Sequence, residues 1–443
     1  MANKLVDLNK THKSLKLRIY PTEEQLILIN KTFGCCRLVY NERLQEKIDF
    51  YIENILPISK ENKTERNQKY KEYKPSDLKT QFPFLSEVSS QALCQSENDL
   101  KNAYNNFFKS AKGARKGKSG FPKFKSKKNN RQSYRECMVS ETSLNFFSKY
   151  VKIPKLGKVA FSHDSLPKWY SKEAKLCNIT VEKSCANRYY AVLLFEIEKP
   201  NFKIENRKDA IGLDFSPSEM YVSSENQTGK DFGYIAQKQK YHKKLRRLQR
   251  TFARRQVIKQ ENSPRKLPSK NREKARIKLA RLEEHIAFCR KDWMEKETLR
   301  LVKSYDKVVV EDLNLKGISK FLRNAKNMND TSWATFVARL EQKGQDYDCE
   351  VIKADRYFPS SQLCSKCGFQ YKDLKLSERE WTCSCCGTHH IRDVNAAINL
   401  KNYVPLERRK LTPVDSEKIS DLAELALQAG TLDEAGTKQQ ATA

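Results

Sequence analysis

No apolar run in this 443-residue chain is long enough to cross a bilayer. The opening residues, Met1 to Lys13, are polar and contain no apolar signal segment, so the chain is expected to remain in the cytoplasm, without a membrane partner. No His-hydrophobe-His motif with a nucleophilic tyrosine is evident, which argues against a transposase that moves DNA itself. Acidic residues are in deficit: Asp and Glu number 54 against 85 Lys and Arg, a formal charge of +31. A field of that size points to a polyanionic partner. Hydrophobic content is 38%, low but sufficient for two or three folded domains in a chain this long. There is no disulfide framework either. Cys35, Cys36, Cys94, Cys137, Cys177, Cys185, Cys289, Cys349 and Cys385 are scattered and read as small core residues or idle thiols in a reduced compartment.

The remaining four cysteines stand apart. Cys364 and Cys367 form one C-x-x-C knuckle, Cys383 and Cys386 a second, and fifteen residues separate them. Gly368 and Gly387 follow the knuckles and relax each turn. Four thiolates on two tight turns can close tetrahedrally on one zinc ion. Cys385 lies between the ligands of the second knuckle and falls outside the C-x-x-C spacing.

Ahead of the knuckles, Leu15–Tyr20 alternates apolar and basic residues, as a half-buried strand does. Thr22 can cap a helix whose Leu26, Ile29 and Phe33 recur at helical spacing. A later helix, about Ser86 to Lys112, carries Leu93, Leu100, Tyr104, Phe107 and Phe108 as an expected core stripe. Lys112 to Lys128 is basic and glycine-rich, with Phe121 and Phe124 interleaved. Its Lys123 and Lys125 suit a phosphate backbone, and its rings suit exposed bases. Strand patterns return from Val151 to Ile197 and could complete a small β-barrel. After a linker at Pro200 to Lys208, Ala210–Ser216 reads as a buried strand carrying Asp214. Met220–Ser224 and Asp231–Ala236 read as two further strands of a meander, the opening of a ribonuclease-H-like nuclease. Lys238 to Ile286 is strongly basic and helical, broken near Ser263-Pro264, which suggests an antiparallel pair. Its Arg246, Arg247, Arg250, Arg254 and Arg255 favour nucleic-acid contact. Tyr305–Leu313 is a core strand ending in acids, and Cys349–Ala354 another strand, leading through Arg356 to the knuckles. From Leu411 the chain is acidic and reads as disordered, apart from a short helix near Leu422 to Leu427.

Three carboxylates are placed for chemistry: Asp214 in a strand, Glu311 at a strand end and Asp393 at a helix start. Such a set can hold two Mg²⁺ ions about 4 Å apart for phosphodiester hydrolysis. Asp312 adjoins Glu311, but strand alternation points it to the opposite face.

Several blocks, in this order, resemble the TnpB family of RNA-guided endonucleases from IS200/IS605-type transposons, relatives of compact type V CRISPR effectors and Fanzor proteins. They are Leu17–Pro21, Val39–Asn41, Phe121–Lys125, Ile153–Gly157, Ile211–Asp214, Val309–Asn314, Phe358–Cys364, Trp381–Cys383 and Arg392–Ala397. The resemblance spans about Leu15 to Leu400. It implies an α+β multidomain fold: a small β-barrel with a helical insert, then a RuvC/ribonuclease-H-like α/β nuclease domain with an inserted zinc ribbon. The expected domains are a wedge barrel at 1–200 with a recognition insert at about 22–128, and a linker at 201–208. A RuvC-like domain follows at 209–359, with a basic helical insert at about 238–303. A zinc ribbon at 360–392, the last RuvC piece at 393–410 and an acidic tail at 411–443 complete the chain. Asp214, Glu311 and Asp393 fall on the family's catalytic acids, and Cys364, Cys367, Cys383 and Cys386 on its zinc site. The implied cofactors are one structural Zn²⁺ and two catalytic Mg²⁺. The implied partners are a guide RNA from the transposon end and double-stranded target DNA bearing a short adjacent motif. Tyr51, Ser90 and Gln91 sit where motif readers are expected, and the basic helices would line the RNA–DNA hybrid channel. When bound to DNA the protein would be associated with the nucleoid. The alternative is a guided repressor, or a general zinc-ribbon nucleic-acid-binding protein, without cleavage. The three intact acids argue against it.

Overall fold

The structure is a computed structural model. It describes residues 10–405 except 60, 115, 116, 118, 138–144, 147, 148, 163–169, 171–173, 200, 201, 203, 235–239, 256, 260–265, 314–331 and 376. The acidic tail, its expected helix and the Ser263-Pro264 break lie outside the described residues. The chain divides into two compact units, Met1–Pro200 with Tyr241–Cys289, and Asn201–Lys240 with Arg290–Ala443.

In the front unit, β1 (Lys10–Tyr20) is followed by helices α1 (Glu23–Phe50), α2 (Lys63–Glu72), α3 (Leu78–Gln81) and α4 (Ser90–Ala111). Thr22 caps α1 in a full capping box with Gln25. Strands β2 (Gln132–Cys137), β3 (Asn145–Phe146), β4 (Tyr150–Ile153), β5 (Gly157–Ser162), β6 (Lys175–Lys183) and β7 (Tyr189–Glu198) complete a sheet ordered β2-β6-β7-β1-β5-β4-β3. All its pairings are antiparallel. The sheet curls, but its end strands β2 and β3 do not pair with each other among the described residues. Alternating Leu15, Leu17 and Ile19 meet Ile29, Phe33 and Val39 of α1 in one core.

The expected stripe on α4 divides. Leu93 and Leu100 are buried, whereas Phe108 is 52% exposed. Beyond Leu100, Tyr104, Phe107 and Phe108 line an aromatic cleft of about 720 Å³ with Tyr51, Tyr70 and Phe121.

In the second unit, β8 (Lys208–Ser216) pairs antiparallel with β9 (Met220–Ser223). Among the described residues of the expected third strand, Asp231–Gly233 is turn and Tyr234 is not strand. Thr228 N–H donates to the Asp231 carboxylate at 2.6 Å and the chain turns through Gly233 instead. Ile235 and Ala236 of that expected strand lie outside the described residues. Two helices then follow, α5 (His242–Arg254) and α6 (Lys270–Ser304), joined by a hairpin of β10 (Val257–Lys259) and β11 (Lys266–Pro268). They run antiparallel: Tyr241 Oη lies 3.0 Å from His285 Nε2, while Arg272 Nη1 donates to the carbonyls of Phe252 and Arg255 at the other end. Residues 241–289 pack with the front unit.

The second unit resumes with β12 (Tyr305–Glu311), α7 (Trp333–Tyr347) and β13 (Glu350–Ala354). The sheet order is β13-β12-β8-β9, with β12 parallel to both neighbours. One face carries Ile211, Leu213, Val308 and Val310 against Leu301 and Val302 of α6 and Phe336 and Leu340 of α7. The other face carries Val309 and Ala354 against Leu400 of α8 (Arg392–Lys401). Strand alternation therefore puts Gly212, Asp214 and Glu311 on the α8 side. Between β13 and α8 lie the knuckles, with the short strands β14 (Glu380–Thr382) and β15 (His389–Ile391). Among the described residues no helix is long and apolar enough to cross a membrane.

Candidate active site and metal centre

Gly212 sets the geometry of the acidic cluster. A Cβ there would stand 2.0 Å from the Ala397 carbonyl oxygen and 2.4 Å from the Lys401 nitrogen. Only the absence of a side chain lets α8 lie this close on β8. Asp214 is two residues further along β8, Glu311 ends the neighbouring parallel strand, and Asp393 is in the first turn of α8.

The charges of Asp214 and Glu311 act on each other across neighbouring strands, which disfavours ionising both at once. Burial, then the charges of Glu311 and Asp393, hold Asp214 well above the usual carboxylate range. Burial also raises Glu311, against the pull of a hydrogen bond from Ser360. The Ser360 hydroxyl donates to Glu311 Oε1 at 2.8 Å. Asp393 faces Arg379 Nη1 at 3.2 Å and Arg392 Nη2 at 3.1 Å. Asp312 turns away and pairs with Arg356 at 2.8 Å. Arg356, expected on nucleic acid, is thus held by a carboxylate.

The four knuckle cysteines bring their sulfurs within 4.8 Å of one another. Cys364 and Cys386 are 3.6 Å apart, as are Cys367 and Cys383. A tetrahedral zinc with bonds of about 2.3 Å separates its sulfurs by about 3.8 Å, so the set fits that ion. Gly368 and Gly387 adopt φ values of 77° and 68°, and each donates its N–H to the first cysteine of its knuckle at 2.9 Å. Hydrogen bonding between Cys386 and Thr388 lowers the pKa of Cys386, favouring the metal-binding thiolate, while the neighbouring knuckle sulfurs push that of Cys367 up. Buried His390 sets Nε2 3.0 Å from Cys364 Sγ. Burial lowers its pKa, so the ring is neutral and can present one N–H to a thiolate.

Two buried asparagines join cluster to knuckle. Asn395 Nδ2 donates to Leu363 O at 2.6 Å, and its Oδ1 accepts from Ser365 N–H at 2.9 Å. Asn399 Nδ2 donates to Ser360 O at 2.8 Å and Leu363 O at 2.7 Å. The loop that supplies Ser360 to Glu311 and Cys364 to the knuckle is therefore clamped by the helix that carries Asp393. Sequence reasoning assigned no role to Asn395, Asn399, Ser360, Arg379 or His390. The available signal was the i, i+4 asparagine pair on a helix otherwise lined by Ala396, Ala397 and Leu400.

The remaining candidates are dispersed. Tyr51 lines the aromatic cleft near Tyr104, whereas Ser90 and Gln91 begin α4. Fourteen residues of helix, about 21 Å, separate the two ends. Ser90 Oγ accepts from Lys79 Nζ at 3.1 Å. Lys125 sits over the Tyr40 ring at 4.0 Å and 3.8 Å from Asp99, an internal role rather than a free cation. Lys123 is exposed. Arg246, Arg247, Arg250, Arg254 and Arg255 are all exposed, and none pairs with a carboxylate among the described residues.

Fold and site together define a mixed α/β protein in which an acidic cluster and a four-cysteine cluster of the zinc-binding kind share one unit. Family profiles match three stretches: "Helix-turn-helix domain" of the OrfB IS605 group at 11–55, "Probable transposase" of the same group at 193–322, and "Cas12f1-like, TNB domain" at 333–400. A Streptomyces pristinaespiralis protein provisionally named an RNA-guided DNA endonuclease is 31% identical over 89% of both chains. InsQ of Escherichia coli (strain K12), provisionally named likewise, is 26% identical over 88% of this chain and 92% of its own. The TnpB-like protein L79 of Acanthamoeba polyphaga mimivirus is 23% identical over 87% of this chain and 72% of its own. Among solved structures, the Cas12f1–sgRNA–target DNA complex aligns with a TM-score of 0.43 at 15% identity, over 89% of this chain and 99% of that one. The chain belongs to the TnpB family.

Replacing Cys364 by serine is expected to lower the zinc content of chelator-washed protein from one ion per chain to near zero. Because Leu363 and Ser365 are tied to α8, it should also loosen the Asp393 helix. Elemental analysis checks the first effect and amide exchange in 392–401 the second; unchanged zinc would contradict the ligand set.

Proposed function

We propose that the chain is an RNA-guided DNA endonuclease that hydrolyses phosphodiester bonds at the Asp214–Glu311–Asp393 cluster. The observation that carries this reading is the convergence of three carboxylates, from segments far apart in sequence, on two parallel strands and the helix packed against them. The charges of Glu311 and Asp393 both bear on the buried Asp214. An all-oxygen donor set suits a hard cation such as Mg²⁺ rather than zinc. When bound there, a pair of such ions would activate a water and stabilise the leaving 3′-oxygen. Asp214 and Glu311 would hold the metal from the sheet, with Ser360 fixing the Glu311 rotamer. Asp393 would close the site from α8, oriented by Arg379 and Arg392. The four cysteines would hold one structural zinc.

Sequence choice would come from base pairing with a guide RNA derived from the transposon end, with a short adjacent DNA motif read by the protein on duplex DNA. Tyr51 is the stronger motif-reading candidate, because it is exposed on a cleft rather than tied to a neighbour. The exposed arginines of α5 would contact phosphates. On that basis, RNA affinity falls on the order of a thousandfold between about 50 and 200 mM salt. Replacing Arg246, Arg247 and Arg250 together by alanine should flatten the salt slope by about three. An unchanged slope would remove α5 from the interface.

The test of guided action is to express the chain with its native flanking DNA, purify it and sequence the RNA that accompanies it. One abundant species with a constant part and a variable end supports the reading. A mixture of unrelated cellular RNA would mean that the +31 charge binds polyanions indiscriminately.

A further inference from the structure

We propose that the outer face of the front sheet carries a second metal site, formed by His12, Cys177 and Glu196 and suited to a borderline divalent ion such as Zn²⁺. The three residues come from β1, β6 and β7, which are adjacent in the order β6-β7-β1. His12 and Glu196 are direct antiparallel partners, the closest cross-strand relation a sheet offers.

Cys177 reaches the same face through a defect. The β6–β7 register shifts between Leu176 and Asn178, because β6 has one residue more than β7 opposite it. Leu176 and Ile179 are both buried, although three positions separate them and regular alternation would send one outward. The bulge resolves this by turning Cys177 away from the core, as bulges do when they re-aim a side chain. One ligand atom from each residue then lies within 4.8 Å of the other two. Small side-chain rotations bring such atoms to the roughly 3–4 Å spacing of a tetrahedral ion's donors. His12 is exposed and Cys177 and Glu196 are half-buried, so a fourth position stays open to solvent.

Thiolate, imidazole and carboxylate together select zinc, cobalt or nickel over magnesium or calcium. The site shares no residue with the four-cysteine cluster and lies in the other unit. Lys10 Nζ, 3.3 Å from Glu196 Oε1, competes with the ion. The thiol must release its proton on binding, which makes this site the weaker of the two. Once bound, the ion ties β1 to β6 and β7.

The test uses the full chain, washed with a weak chelator so that the four-cysteine zinc remains, then dialysed against Zn²⁺ and analysed for metal. Wild type should gain one further ion per chain. Cys177→Ser and His12→Ala should each weaken that second ion by about tenfold or more while keeping the first. Lys10→Ala should tighten it. With Co²⁺ in place of Zn²⁺, the thiolate-to-cobalt absorption of the added ion should vanish in Cys177→Ser. His12→Ala removes an exposed strand residue, so it remains informative if the cysteine variant folds poorly. No second ion in wild type would overturn the proposal, as would a second ion that persists in both ligand variants.

Discussion

Replacing Asp214 by asparagine should lower DNA cleavage by about a thousandfold or more, because several kcal/mol of metal-supported stabilisation disappears. Binding of RNA and target should change little. The same change should raise the melting temperature of the Mg²⁺-free protein near neutral pH. Asp214 and Glu311 both have folded-state pKa values raised above those of an unfolded chain. The folded state therefore keeps protons that the unfolded chain has already released, and stability declines as pH rises through the range above the ordinary carboxylate value. Wild type should lose melting temperature as pH rises above the ordinary carboxylate range, and Asp214→Asn should lose less. Adding Mg²⁺ should recover stability in wild type only. A purely structural Asp214 would give the reverse, a variant less stable at every pH and impaired in nucleic-acid binding as well.

The second large effect is expected at Gly212. An alanine there would place its Cβ 2.0 Å from the Ala397 carbonyl oxygen, where ordinary contact begins near 3.4 Å. Since the obstacle is helix backbone, α8 must move by more than an ångström, taking Asp393 away from Asp214. Overpacking of this kind costs about 3 kcal/mol, and a displacement of about 1 Å in a catalytic group costs about a hundredfold in rate. Gly212→Ala should therefore cut slowly although it removes no functional group, while RNA binding, proposed for the exposed arginines of α5, persists. Near-normal cleavage by a stably folded Gly212→Ala would show that the Asp393 position is not critical.

These two positions also mark how far the sequence could be read. Asp214 and Glu311 stood out because each interrupts or ends an apolar strand pattern, Asp393 because it opens a helical pattern just after the knuckles, and alternation along Val308–Glu311 separated Glu311 from Asp312. The knuckles were legible because ligand spacing is a local property. What escaped was set by tertiary packing. Nothing local in Gly212 announces a helix backbone pressed against it. Asn395 and Asn399 resemble ordinary helix polar residues until the Ser360–Ser365 loop is seen beneath them. Residues Asp231–Tyr234 have strand-like composition, but an aspartate–backbone hydrogen bond wins and forms a turn. Basic composition pointed equally to Lys125, Arg356 and the α5 arginines. The structure separates them by internal partners: Asp99 and Tyr40 for Lys125, Asp312 for Arg356 and, among the described residues, no carboxylate for α5.

Whether the chain is a guided nuclease is decided by a cleavage assay with the purified RNA complex. Its substrate is a plasmid library in which a sequence matching the guide's variable end is flanked by randomised bases. Cutting is expected only of matched plasmids carrying a particular flank, only with Mg²⁺ or a similar hard divalent ion present, and none with Asp214→Asn. Tight, guide-dependent binding of the matched target by the wild-type complex with no cutting in Mg²⁺ would contradict that expectation and make the chain a guided DNA-binding protein.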